Sequence, residues 1–323
     1  MYLLNKQAGF TAALLVTLTA CGGDGYEGYS AATSVDVFDG AAIGCTVSYD
    51  GTVATEVGDG AYTFAKVLDT GSVVTAIGCT DSDTQSLLPI LSGVMQSGAV
   101  VISPITTLIV EAAIANEVAA KGIGLRTGAK SISATALQAA IARIVANLGL
   151  GDYQPTDPAT ANYVAAAKAD TTGTSTEAVA MRVSLAIATL LKSVEVSAGP
   201  VNASAAVAAV SQAIVNSLSV VDLSQSTSVE AVMTEAKTLA PTVATAIQTA
   251  SDAIATLVTQ IINTPGDIMV SIKVTTIIAD FLNTADETTI TNESTLADLV
   301  TTTVAAATPS CSLGTSLLGS CLI

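Results

Sequence analysis

A chain of 323 residues is long enough for two domains and a sizeable core; half of it is hydrophobic, yet only 3% is aromatic and tryptophan is absent. The core is therefore predicted to be built from Ala, Val, Ile, Leu and Thr with few large anchors. A formal net charge of −16 repels phosphate backbones and excludes nucleic acid as a partner, and the absence of histidine from the sequence excludes histidine-dependent triads, facial metal triads and normally spaced zinc sites.

The first element in chain order is a leader. Lys6 precedes the apolar run Gly9–Leu18, which has the charged start and short apolar stretch of a secretory signal and is too short to span a bilayer. Leu18-Thr19-Ala20-Cys21 then resembles the lipobox of bacterial lipoprotein precursors: apolar, small, small, cysteine. The resemblance implies acylation of the Cys21 thiol, cleavage before it and acylation of the new amine. Cys21 is then a lipid anchor and the membrane a partner, since two or more acyl chains hold stably where one does not. By the same resemblance, Gly22 after the anchor favours the outer membrane, on the cell surface or the periplasmic face. Residues 1–20 are expected to be removed, and residues 21–34, rich in Gly and Ser, to form a flexible tether.

From residue 35 to 84 short strand-like runs, SVDVFDG, GCTVSYDG, GAYTFAKVLD and GSVVTAIGC, are separated by Asp-Gly and Thr-Gly turns, a strong hairpin signal. They predict a small antiparallel β-sandwich. With Cys21 assigned to lipid, four of the five cysteines remain, an even set in a compartment where disulfides persist. Cys45 and Cys79 lie in matching Ile-Gly-Cys-Thr segments at strand edges and are predicted to pair. Cys311 and Cys321 are predicted to close a loop in the C-terminal tail, residues 309–323. Four cysteines formally allow three pairings, and the sequence leaves the other two open. Asp36, Asp39, Asp50, Asp59, Asp81 and Asp83 offer the hard oxygens that calcium takes. The plainer expectation is that they are turn formers and solvated acids, so no metal and no cofactor is expected.

From residue 85 to 308 the periodicity is helical. Ser103-Pro104 supplies a cap and first-turn proline, followed by Ile105, Leu108, Ile109 and Ala112 before a stop at Gly122. Leu137, Ile141, Ile144, Val145 and Leu148 mark a second helix ending at Gly149, and Asp157-Pro158 opens a short third. Thr174 with Glu177 forms a capping box ahead of Val183, Ile187, Leu190 and Val194. Asn202 is predicted to cap a helix carrying Val207, Val210, Ile214 and Leu218, and Thr227 with Glu230 to open the next. Pro241 begins a long segment through Ile261; in residues 267–283 the β-branched side chains favour strand, but the length and the Ile268, Ile272, Phe281 spacing favour helix, and Leu296–Ala307 closes the set. The fold class expected is α+β, a small N-terminal antiparallel β-sandwich followed by a larger all-α helical bundle.

Asp39-Gly40, Gly44-Cys45-Thr46-Val47, Gly60-Ala61-Tyr62-Thr63-Phe64 and Val101-Ile102-Ser103-Pro104-Ile105-Thr106-Thr107-Leu108 together resemble the start of exported proteobacterial lipoproteins. In these a carboxypeptidase-regulatory-like or immunoglobulin-like β module leads into a Ser-Pro-Leu-Thr-Thr helix and an Ala-rich helical region. The resemblance covers about the first third of the chain, and Leu148–Thr160 is similar to a segment that family carries further on. Its Asp/Asn-rich insertion, which looks like a calcium loop, is reduced here to Tyr49-Asp50-Gly51.

No serine stands three residues before a lysine, and Gly122–Gly128 is an interhelix loop rather than a phosphate cradle. Acid pairs such as Asp81 with Asp83, or Glu195 with its neighbours, are ordinary in so acidic a chain. The expectation is a non-enzymatic lipid-anchored envelope or cell-surface protein with a structural or adhesive role. Its partners would be copies of itself or other surface components. The alternative is an outer-membrane or periplasmic lipoprotein binding an apolar small molecule in its helical domain.

Overall fold

The computed structural model describes residues 33–96, 99–121, 131–150, 162–290 and 292–307. Cys21, Cys311 and Cys321, the Asp157-Pro158 helix start and the Gly122–Gly128 loop lie outside them. Among the described residues, a strand-rich region is followed by a helical one, and none of the helices is long and apolar enough to cross a membrane.

The strands are β1 (Thr33–Val37), β2 (Ala42–Ile43), β3 (Thr46–Tyr49), β4 (Thr52–Val53), β5 (Thr55–Gly58), β6 (Ala61–Phe64), β7 (Val73–Ile77), β8 (Thr80–Asp81), β9 (Leu91–Val94) and β10 (Ala99–Ile102). They form one four-stranded sheet in the order β10-β1-β6-β5, a second in the order β4-β3-β7-β9, and a two-stranded β2-β8 pair. In β1 the alternation is clean: Thr33, Val35 and Val37 point inward, Ser34 and Asp36 outward. Val35, Tyr62 and Phe64 of the first sheet share one hydrophobic core with Val47, Val74 and Leu91 of the second. The Asp50-Gly51 hairpin forms as expected, with both residues left-handed (φ 47° and 76°), the pairing of a type I′ turn.

Two expectations about this region are corrected. Strands continue past residue 84, since β9 and β10 lie where helix was expected to begin. Both are buried on both faces, so neither carries the polar-apolar alternation by which a strand is recognised. The sheets are also not wholly antiparallel: β10 returns to pair parallel with β1, Val35 opposite Val100 and Val37 opposite Ile102. Gly93 sits where the edge strands β9 and β10 of the two sheets meet, and a Cβ there would stand 2.1 Å from the Val101 carbonyl oxygen.

The helices are α1 (Pro104–Lys121), α2 (Ala134–Asn147), α3 (Val164–Ala169), α4 (Thr176–Asn216), α5 (Ser226–Leu239), α6 (Ala244–Ile262), α7 (Ile268–Thr284), α8 (Glu287–Ile290) and α9 (Glu293–Ala307). The Ser-Pro-Ile-Thr-Thr stretch is a reciprocal cap. Ser103 Oγ accepts from Thr106 N–H at 3.2 Å, while Ser103 N–H donates to Thr106 Oγ1 at 2.7 Å. The same Thr106 hydroxyl donates to the Ser92 carbonyl, and Thr107 Oγ1 accepts from Ser92 N–H, tying α1 to β9. Thr106→Val is isosteric but orphans these buried partners. It is expected to lower the unfolding free energy by about 2–4 kcal/mol, read as a shift in the urea midpoint; a shift below a tenth of that would remove the cap as a structural determinant.

Helix α4 is apolar almost all round in its first half and packs against α1, α5, α6 and α7, as expected of a central helix. Its cap is Ser175, whose side chain accepts from Ala178 N–H, not the expected Thr174 with Glu177. Asp170 explains the shift: its carboxylate takes the N–H groups of Thr172 and Ser175 and fixes the turn one residue later. Likewise the second half of α4 does not start at Asn202. Gly199 leaves the helical region (φ 69°, ψ 165°) and Pro200 follows at the position where proline suits a helix start, so the two halves join across a kink. Leu218 falls beyond the end of α4 and is wholly exposed, 101%, rather than on its apolar face. Helix α5 begins one residue before Thr227, with Gln225 at the cap position making no side-chain bond. Pro241 opens a 3-10 turn that runs into α6, and Asp267 caps α7 through Val270 N–H, so residues 268–284 are helix as expected.

Strands and helices are not separated by a seam. Phe38, Val94 and Val101 belong to the helical core, and the described residues form one compact unit.

Candidate functional site

The kink of α4 opens a groove. Its floor is the second half of α4, from Pro200 to Ser211. One wall is the segment from Ile77 to Ser92, and α1 contributes Thr107 and Glu111. The cavity measures about 520 Å³, within the range that encloses a small molecule. Ile77, Leu87, Ile90 and Val201 are exposed around it, Val201 at 92%. The wall is held firmly: Leu88 N–H donates to the Cys79 carbonyl, and Asp81 N–H to that of Ser86. From α7, Asn283 accepts from Leu87 N–H and donates to the Gln85 carbonyl, bracing a residue whose own backbone is left-handed (φ 56°). Lys192 Nζ lies 2.7 Å from Glu195 Oε1 one helical turn away, both partly buried in the lining. Glu195 thus partners a lysine rather than a second acid.

Behind this wall lies a buried acidic cluster. Asp39, in the turn after β1, and Asp81 are buried, and Asp83 sits beside them with both oxygens 2.6 Å from Lys168 Nζ of α3. Gly40 permits the approach, since a Cβ there would stand 2.1 Å from Asp81 Oδ1 and 2.3 Å from Asp83 Oδ2. Asp81 is held by Thr84 Oγ1 and by Asp83 N–H. Phe38 packs edge-on against Tyr163 at 5.1 Å, bringing the phenol toward Ser184 and Asp39. Burial, reinforced by the charge of Asp81, pushes the Asp39 carboxyl well above its ordinary value, and burial raises Asp81 as well. Burial likewise raises the Tyr163 phenol, keeping it protonated. The cluster is a set of neutral or compensated groups joining strand turns to α3 and α4.

The six aspartates that could offer oxygens to calcium therefore divide, and the expectation of solvated turn acids fails for buried Asp39 and Asp81. Asp39, Asp81 and Asp83 come together, but Lys168 supplies the positive charge there, while Asp36, Asp50 and Asp59 stay exposed elsewhere. Among the described residues no three acid or cysteine side chains converge as a metal-binding group. Cys45 and Cys79 stand with their sulfurs at disulfide distance and their Cα atoms 4.2 Å apart, joining the start of β3 to the start of β8.

The raised carboxyls make stability pH-dependent. A folded state that holds the Asp39 proton more tightly than the unfolded chain binds more protons, so stability falls as pH rises from 3.8 through the raised value. In the opposite sense, hydrogen bonds from Thr172 and Ser175 hold Asp170 far below its ordinary value, and bonds from Thr289 and Thr288 hold Asp286 at about 2. Their contribution disappears as pH falls below 3.8. The melting temperature is expected to be higher at pH 5 than at pH 8, with a slope of at most about 1.4 kcal/mol per pH unit from Asp39. Asp39→Asn should flatten that limb. Parallel curves for the two proteins, from calorimetry across the window, would remove Asp39 as its source.

Comparison with protein-family models, curated proteins and solved structures gives no match to this chain. Sequence reasoning missed the groove, because its lining comes from β7, β9, α1 and both halves of α4. The one local signal was Gly199-Pro200, just ahead of the helix start expected at Asn202.

Proposed function

We propose that the chain is a non-enzymatic lipoprotein, anchored through Cys21 to the outer membrane on its surface or periplasmic face, whose folded body binds an apolar small molecule. The groove at the α4 kink carries this reading: about 520 Å³, with exposed apolar side chains such as Ile77, Leu87 and Val201 around it, and hydroxyl and charged side chains among them in the lining. It favours the ligand-binding alternative over the structural or adhesive role that the sequence put first. In this reading the two sheets face each other as a β-sandwich, the helices form a bundle behind them, and residues 21–34 hold the body away from the lipid. Native mass spectrometry of protein purified gently from membranes is the test. A co-purifying small molecule at one per chain, lost on filling the groove with Ala208→Phe, is the expected result; an empty protein that also takes up no apolar probe sinks the ligand-binding reading.

The structural or adhesive reading retains one supporting observation. Strand β5 is a sheet edge exposed along its whole length, Val57 included, and Val53 on β4, an edge strand of the other sheet, is exposed as well. Self-assembly through this edge predicts concentration-dependent oligomers in analytical ultracentrifugation that Val57→Lys abolishes.

A further inference from the structure

We infer that the ligand of the groove is an uncharged amphiphile, an apolar chain ending in a hydroxyl, and that the hydroxyl is anchored at Ser211; this rests on the ligand-binding reading above. The first ground is charge. The charged side chains in the lining are Glu111, Lys192 and Glu195. Lys192 and Glu195 already neutralise each other at 2.7 Å, and Glu111 has an interaction of its own. An anionic head group meets two carboxylates and a lysine already paired with one of them, and would lose its water without compensation. A chain of net charge −16 adds long-range repulsion of carboxylates and phosphates.

The second ground is a hydroxyl with nothing to bond. Several hydroxyls on these helices bond back to the carbonyl one turn earlier: Ser197 Oγ donates to the Ser193 carbonyl at 2.7 Å, and Thr249, Thr256 and Thr275 do the same. Ser184, Ser193 and Ser211 of α4 do not, and of these three it is Ser211 that lines the groove. It is 1% exposed, makes no hydrogen bond, and belongs to the groove lining. A buried hydroxyl in that state favours a ligand able to donate to it or accept from it, and an alcohol does both. The third ground is size. A cavity of this volume encloses one small molecule, whereas a stable protein interface buries about 800 Å² on each partner.

The test uses the full chain carrying Cys21→Ser, so that no detergent competes for apolar probes, after extraction of any endogenous ligand. Bound N-phenyl-1-naphthylamine is displaced by decan-1-ol or by decanoate at pH 7.5. Decan-1-ol is expected to displace it at least about tenfold more effectively than decanoate, and Ser211→Ala to weaken decan-1-ol about fivefold more than it weakens the probe. Decanoate matching or exceeding the alcohol on the unsubstituted groove overturns the uncharged-ligand inference, whatever the variant does. An unchanged decan-1-ol affinity in a Ser211→Ala protein of normal circular dichroism overturns the anchor. If the probe fails to bind at all, it is the ligand-binding reading itself that falls.

Discussion

Breaking the link between Cys45 and Cys79, by reduction or by replacing both with alanine, is expected to lower the unfolding free energy by about 4 kcal/mol. The two cysteines are 34 residues apart, and in the chain-entropy account a loop of that length gives roughly this much. The loss should not stay local. Cys79 is fully buried in the strand-region core, its carbonyl accepts from Leu88 N–H, and Gly78 and Leu88 both line the groove. Reduced protein should therefore melt earlier and also bind apolar probes more weakly at temperatures where it is still folded. Equal guanidinium midpoints for the oxidised and reduced protein would count against the pairing. Loss of stability with no change in probe binding would separate the link from the groove.

Gly93→Ala is the second large effect, about 3 kcal/mol or more. Gly93 does not need an unusual backbone angle; it needs the absence of a side chain. A Cβ would stand 2.1 Å from the Val101 carbonyl oxygen and 3.0 Å from Ile102 Cγ1. The obstacle is backbone that is also pairing with β1, so it cannot swing aside as a flexible side chain would, and overpacking costs accordingly. By contrast, Gly44→Ala meets nothing within 4 Å. That site has only a positive φ of 68° to resist it and should cost about 1 kcal/mol. A thermal melt of the pair decides the matter: if Gly93→Ala were as mild as Gly44→Ala, the close crossing of β9 and β10 would be wrong.

The sequence predicted the helical elements well where the signal is local. Pro104 after Ser103, the apolar spacing through α1, α2 and α6, and the helical reading of residues 268–284 depend only on neighbours within a turn or two. Caps moved by one to three residues where a competing side chain or an imino ring decided the start, as at Ser175 and Gly199-Pro200. The strands β9 and β10 were unreadable for a different reason. Buried on both faces, they look like any short apolar run until β1 and the helices are in place to cover them.

By itself, the sequence determined the absence of histidine chemistry, the strand-then-helix order, and an acidic chain whose core is made of small side chains. Each of these is a property of composition or of residues adjacent in the chain. Tertiary structure alone decided that the last strand closes against the first, that Asp39, Asp81 and Asp83 gather against Lys168, and that a bend at Gly199 leaves a groove with Ser211 in its lining. Those outcomes join residues from about 40 to more than 100 positions apart. They depend on which buried faces fit one another, and that fit is set by the shape of the whole core rather than by any local pattern.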